Sequence, residues 1–352
     1  MIDGDNMSGL AKRLRDTVSF GWNFDPAKYA FAAWRERMRD EVRAALGVER
    51  ITPAGASVVS EWREGGCKGQ ELQLHFSNGE IAGAYLLRPD TDARTPAVLL
   101  LHDHGSFFSI GKEKMIGRPG EPPEVAADID RWTAKLYGGR QVGNELARRG
   151  YTVLCADALG WGGRKGNGYE AQQALAANLM QFGFSYASVI LREDLEAMAW
   201  LCRSPGVDRA RVASFGYSMG GSRAWQVAAL SDDARVCVAG GWMATLQGLM
   251  QPGNNQLRGQ SAFSMLHPQI AGKLDYPHFA GLAAPKPALI FSGGDDRHFP
   301  EPAALAAHEQ MHGIWRAANA EPCLETRLWP GAAHAFPVDQ QDHAMDWLGR
   351  TM

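Results

Sequence analysis

The sequence predicts an α/β fold with a mostly parallel central sheet, antiparallel strands at its N-terminal edge, helices on both faces and a helical extension in front. Three observations carry this reading. From Pro96 onward, short apolar runs alternate with helix-compatible stretches, as in a chain of strand–helix units. Ahead of Pro96, short runs of alternating polar and apolar residues flank an Asn78-Gly79 dipeptide, a strong hairpin signal. Earlier still, aromatic and apolar residues recur at roughly helical spacing.

In chain order, residues 1–54 read as the helical extension. Trp22, Phe24, Tyr29, Phe31, Trp34 and Met38 supply an apolar stripe, and Gly47 follows as a stop. Residues 55–352 read as one domain. It opens with edge strands at Ser57–Arg63, Glu71–Phe76 and Ile81–Leu87. Buried parallel strands are expected at Ala97–His102, Thr152–Ala156, Arg211–Gly216, Val236–Gly240, Ala288–Ser292 and Leu324–Trp329. Helices are expected at Gly139–Arg149, Ala187–Cys202, Met219–Leu230, Pro302–Ala318 and Asp339–Leu348. Two inserts, at about 106–134 and 243–282, fit neither period. Long inserts after strands are where pockets and lids usually form.

The bulk properties narrow the partners. The chain has 352 residues, 45% hydrophobic and 21% charged, enough for a sizeable core. A net charge of −3 leaves no basic footprint for nucleic acid and no polybasic segment for an anionic membrane. No run approaches the ~20 apolar residues of a membrane span. The N-terminal MIDGDNMSGLAKRLRD lacks the apolar core of a secretory signal. The five cysteines (67, 155, 202, 237 and 323) are scattered and odd in number, which predicts reduced thiols and a cytoplasmic protein. A small or uncharged partner is expected, and a homo-oligomer is compatible with all of this.

The chemistry concentrates at three places. Arg211 to Gly221 reads RVASFGYSMGG, a strand running through G-x-S-x-G into a helix. A serine on such a tight turn is strained, and side chains two residues to either side would collide with the neighbouring strand and helix. The pentapeptide alone recurs by chance; the strand before it and the helix after it make Ser218 the candidate nucleophile. ALIFSGGDDRHFP then ends a buried strand in Asp295 and Asp296, between which chemistry does not choose. LETRLWPGAAHAFP places His334 among small residues in the loop after the final strand, the best position for a general base. His308, His312 and His343 fall in helices and His75 on the edge, whereas His267 and His278 fall in the second insert, within reach of a substrate.

Together GYSMGG, SGGDDRHFP, GAAHAF and HDHGSFFSIGKEK resemble the α/β-hydrolase superfamily. Within it they are most similar to the dienelactone-hydrolase and acetyl-xylan-esterase branch, over roughly residues 55 to 350. The resemblance implies the α/β-hydrolase fold and a Ser-Asp-His order along the chain. It also implies an acid four residues before a helix-starting proline, which with Pro300 selects Asp296 and leaves Asp295 a turn or capping residue. An oxyanion hole would come from the backbone N–H groups of Met219 and His104, with His102 bracing the loop. The implied activity is hydrolysis of a small-molecule ester through an acyl-enzyme, without a cofactor. One departure is that dienelactone hydrolase itself uses a cysteine where this chain has Ser218, which favours a simple acyl ester over a dienelactone.

Other readings remain beside this one. The same three residues could act on an amide, a thioester or a carbon–carbon bond, or the fold could serve as a binding protein. His102-Asp103-His104 also has metal-ligand spacing, but no further ligand is marked out, so no metal is expected. Phe107, Trp161 and Trp242, with Trp132 and Phe108 nearby, are candidates for the walls of a substrate pocket. Lys112 and Lys114 could contact an acidic substrate, though a solvated loop accounts for them as well.

Overall fold

The computed structural model describes residues 9–252, 254 and 260–352. The reading of the first eight residues, and that of residues 253 and 255–259 in the second insert, lies outside them. The N-terminal segment forms two helices, α1 (Gly9–Thr17) and α2 (Phe31–Leu46). Residues 18–30 turn back between them, so that the rings of Phe24 and Phe31 pack against Trp34. On α2 the buried residues are Trp34, Met38, Val42 and Leu46, four apart, and Gly47 ends the helix at φ 68°, where glycine has no Cβ penalty.

Nine strands form one sheet: β1 (Gly55–Glu64), β2 (Cys67–His75), β3 (Ile81–Pro89), β4 (Thr95–Leu101), β5 (Thr152–Ala156), β6 (Val207–Tyr217), β7 (Val236–Gly240), β8 (Ala288–Gly293) and β9 (Leu324–Trp329). Their spatial order is β1-β2-β3-β5-β4-β6-β7-β8-β9. The first three strands and the β3–β5 pair are antiparallel, and every later pair is parallel. Parallel strands are buried on both faces, and the side chains divide accordingly. Ala97, Leu99 and Leu101 of β4 join one apolar cluster, and Val98 and Leu100 join the other.

The first cluster is closed by α2, α5 (Gly168–Gln181), α6 (Tyr186–Arg203), α7 (Met219–Leu230), α9 (Tyr276–Gly281) and α10 (Glu301–Ala317). The second is closed by α3 (Pro123–Leu136), α4 (Val142–Arg148) and α11 (Val338–Thr351). A single turn, α8 (Leu246–Leu249), follows β7. Three expectations are corrected here. The insert at 106–134 is not irregular throughout, since α3 begins within it, with proline suited to its first turn. Helix α4 starts three residues later than expected, because Gly138 and Gly139 hold positive φ before it. Helix α5 was not anticipated at all.

The sheet order determines where a site can form. Strand β4 pairs with β5 on one side and β6 on the other, so the chain order reverses there, and the loops after β4 and β6 leave the same edge side by side.

Candidate active site

Ser218 sits between β6 and α7 with φ 57° and ψ −126°, a backbone conformation that only a tightly packed surround maintains. Its N–H donates to the Gly240 carbonyl (2.8 Å), and its own carbonyl accepts from Ser222 N–H (3.0 Å). The two flanking glycines leave no room for a side chain. A Cβ at 216 would lie 2.1 Å from the Gly220 carbonyl oxygen, and one at 220 would lie 1.9 Å from that of Leu101. The turn therefore depends on bare backbone at both positions, with α7 opening directly behind the serine.

The loops after β8 and β9 bring the other two residues in. His334 Nε2 lies 2.8 Å from Ser218 Oγ, and His334 Nδ1 lies 2.6 Å from Asp296 Oδ2. A carboxylate only accepts, so Nδ1 carries the proton and Nε2 is left to accept from the serine hydroxyl. Asp296 is held on its other side by the N–H of His298, which donates to Oδ1 (2.8 Å), and its side chain is fully buried. Asp295 is exposed and lines the cavity beside the serine without bonding to His334; its N–H donates to the Ala332 carbonyl (3.0 Å), joining the acid loop to the histidine loop. The structure thus brings Ser218, His334 and Asp296 into one hydrogen-bonded line and leaves Asp295 beside it.

The loop after β4 faces the serine. His102 is buried, its Nδ1 donates to the Asp103 carbonyl (2.8 Å), and its Nε2 accepts from Ala158 N–H (3.0 Å). His104 Nδ1 accepts from Ser106 N–H (3.0 Å), and burial pushes its pKa down to about 3, so the ring is neutral with its proton on Nε2. Asp103 Oδ1 accepts from the Tyr137 hydroxyl (2.6 Å) and from Trp132 Nε1 (3.1 Å). Both nitrogens of His102 and one of His104 are thus committed to backbone groups, of this loop and of the one after β5. Among the described residues no group of three or more metal-type ligands converges.

Between these loops lies a cavity of about 560 Å³, lined among others by His104, Ser106, Trp132, Leu136, Tyr169, Ser218, Met265, Arg297, His298 and His334. Its walls differ from those expected. Trp161 is fully buried beneath it, donating from Nε1 to the His104 carbonyl (3.0 Å). Trp242 lies behind Met265, its Nε1 2.9 Å from that sulfur, and Phe107 stacks on Trp132 outside the lining. Of the aromatic residues singled out, only Trp132 lines the cavity.

Lys112 and Lys114 are likewise neither solvated nor aimed at a substrate. Lys112 Nζ pairs with Glu113 and with Asp157 (3.1 Å), and Lys114 Nζ lies 3.5 Å from Asp103 Oδ2, all of them buried. His267 is buried against Gln226 (2.6 Å), and His278 Nδ1 accepts from Phe24 N–H (2.9 Å), so neither reaches the cavity.

His298, Tyr169, Arg297 and Met265 line the cavity without having been singled out. His298 packs on His334 with ring centroids 4.5 Å apart, and burial, then the neighbouring His334, push its pKa down to about 4. Being neutral, it adds no repulsion when His334 takes up a proton. Its position two residues after Asp296 was the one available signal. Nothing in the sequence marks Tyr169 or Met265, which arrive from other parts of the chain.

Residues 132–347 match the model of the dienelactone hydrolase family, a narrower span than the 55–350 of the resemblance. A Bacillus subtilis (strain 168) protein named "Putative hydrolase YtaP" is 27% identical over 255 residues, covering 72% of this chain and 78% of that protein. Among solved structures, a "putative acetyl xylan esterase" from Bacteroides fragilis NCTC 9343 superposes with a TM-score of 0.73 at 16% identity, over 94% of this chain and 84% of the other. A glucuronoyl esterase from Solibacter usitatus gives a TM-score of 0.64 at 14% identity, over 91% and 93%. At such identities the two structures speak to the shared α/β-hydrolase fold.

Proposed function

Because the chain belongs to the dienelactone hydrolase family, we propose that it is a serine hydrolase that cleaves a carboxylic ester through Ser218, His334, Asp296 and an acyl-enzyme. One observation carries this reading: the unbroken line from Ser218 Oγ to His334 Nε2 (2.8 Å) and from His334 Nδ1 to Asp296 Oδ2 (2.6 Å), on a strained turn facing a cavity. His334 takes the hydroxyl proton as Ser218 attacks the ester carbonyl, and Asp296 holds the imidazole tautomer and stabilises the imidazolium. The tetrahedral oxyanion is received by the N–H groups of Met219, at the start of α7, and of His104. Each such donor contributes about 3 kcal/mol at the transition state. His334 then protonates the leaving alcohol, and water repeats the sequence on the acyl-enzyme.

The ester class comes from the family and from the names of the structural neighbours; a simple acyl ester is the substrate proposed for this chain. A fluorophosphonate is expected to label the protein once, at Ser218, and a panel of acyl esters, amides and thioesters is expected to show turnover of esters. Absence of both label and turnover would end the serine-hydrolase reading, and turnover confined to amides or thioesters would move the substrate class.

Dialysis against a strong chelator is expected to leave turnover intact, because the proton transfers and the oxyanion contacts are all assigned to protein groups. Activity lost on dialysis and restored by zinc or manganese would instead make His102, Asp103 and His104 a metal site.

A further inference from the structure

The loop after β4 places a buried cation directly behind the peptide assigned to the oxyanion. Lys114 Nζ donates to the Asp103 carbonyl (3.1 Å) and to the His104 carbonyl (3.0 Å), with Asp103 Oδ2 at 3.5 Å. One ammonium has three donors, and all three are used. The side chains of Lys114 and Asp103 are 0% and 1% exposed, so neither is available to a substrate. The turn Lys112–Lys114 delivers this ammonium, and it is anchored in turn by Asp157, whose Oδ1 accepts from Lys112 N–H (2.8 Å).

The peptide joining Asp103 to His104 is trans, the one cis bond among the described residues being Ala284-Pro285. In a trans peptide the carbonyl and the following N–H point in opposite directions. The Asp103 carbonyl is drawn inward by Lys114 and by His102 Nδ1 (2.8 Å). The His104 N–H is therefore turned outward, toward the cavity that His104 and Ser218 both line. A carbonyl that accepts from a cation also polarises its own peptide, which makes the N–H at the other end a stronger donor. The next residue tightens the arrangement. Gly105 has φ 64°, and a Cβ there would lie 2.4 Å from Trp132 and 2.5 Å from Asp103 Oδ2.

We propose that Lys114 is a positioning residue for catalysis: by holding the Asp103 and His104 carbonyls it aims and polarises the His104 N–H that receives the oxyanion. This rests on the serine-hydrolase reading above. It goes beyond that reading because Lys114 lies outside the span that matches the family model. It also separates from an ordinary stabilising role. A lysine that only braces the loop lowers the melting temperature when removed and leaves the chemical step alone. One that aims an oxyanion donor lowers kcat with little change in KM, and weakens transition-state analogues in proportion.

The test compares Lys114→Met, which keeps the volume and removes the donors, with Lys114→Gln, which keeps a shorter donor. Each is assayed at a temperature well below its melting point on whichever substrate of the panel the wild type turns over. Binding of an alkyl boronic acid, which becomes tetrahedral and anionic on the serine, is measured in parallel. Lys114→Met is expected to lose about 10²-fold in kcat, with KM within about threefold, and to bind the boronate about 10²-fold more weakly; Lys114→Gln should fall between it and the wild type on both scales. If the Met variant does not fold, the Gln variant carries the test: a parallel loss in kcat and boronate affinity supports the proposal. A wild-type kcat and boronate affinity in a folded variant, with only the melting temperature lowered, overturns it. Wild-type protein that takes no fluorophosphonate and turns over no substrate would instead overturn the serine-hydrolase reading itself.

Discussion

Ser218→Ala is expected to lose on the order of 10⁴-fold or more in kcat while folding as the wild type does. The size of the loss follows from what remains. Without Oγ, no acyl-enzyme forms, and only binding and the oxyanion donors act on a water molecule. The unchanged fold follows from what the side chain touches: its hydroxyl bonds to His334 Nε2, whereas the turn is held by Ser218 N–H to Gly240, Ser222 N–H to the Ser218 carbonyl, and the glycines at 216 and 220. Alanine keeps all of those. The measurement is turnover of an ester identified with the wild type, alongside circular dichroism and a melting curve. Activity within tenfold of the wild type would remove Ser218 from the mechanism.

Asp296→Asn is expected to cost roughly 10⁴-fold in turnover at neutral pH, and Asp295→Asn less than about threefold. Asp296 Oδ2 accepts from His334 Nδ1 at 2.6 Å, and its Oδ1 accepts from His298 N–H at 2.8 Å. Asparagine has one oxygen. If that oxygen stays with the His298 N–H, the amide NH₂ faces Nδ1, and the imidazole must hold its proton on Nε2, where it can no longer accept from Ser218. The imidazolium also loses its counter-charge. Asp295 has no such task; its carboxylate is exposed, and its backbone N–H, which asparagine retains, makes the bond to Ala332. Steady-state kinetics of the two variants on one ester decide the matter. The reverse ranking would transfer the acid to Asp295, and two near-normal variants would place the carboxylate elsewhere.

Much of the fold was legible because its signals are local. Strands at 152–156, 236–240 and 324–329 and the helix at 219–230 coincide with the apolar runs and the glycine boundaries that predict them. An apolar residue buried on either face of a parallel sheet leaves a continuous run, and a run can be read without knowing its neighbours. Helix α5 escaped because only Gln172 and Ala176 are buried on it, too few to write an apolar stripe into the sequence.

The elbow around Ser218 was determined by the sequence alone, since the strain of a strand-to-helix turn and the bare backbone at 216 and 220 are properties of consecutive residues. So was the presence of a carboxylate pair and a loop histidine at the ends of later strands. Which aspartate meets His334 was not decided by the chemistry of the pair; the spacing to Pro300 pointed to Asp296 through the resemblance alone. The tertiary structure decides it physically, because adjacent side chains diverge and a partner 38 residues away selects between them. The walls of the cavity were decided in the same way: Trp161 and Trp242 went beneath or behind it, and Tyr169 arrived from a helix that left little trace. Lys112 and Lys114 are the sharpest case. Along the chain they read as solvated charge, because Asp157 reaches Lys112 only when β5 pairs beside β4, and Asp103 meets Lys114 only when the loop after β4 folds back on itself. A charge is stable away from water only where a partner stands within hydrogen-bonding reach, and that distance exists only in the folded chain.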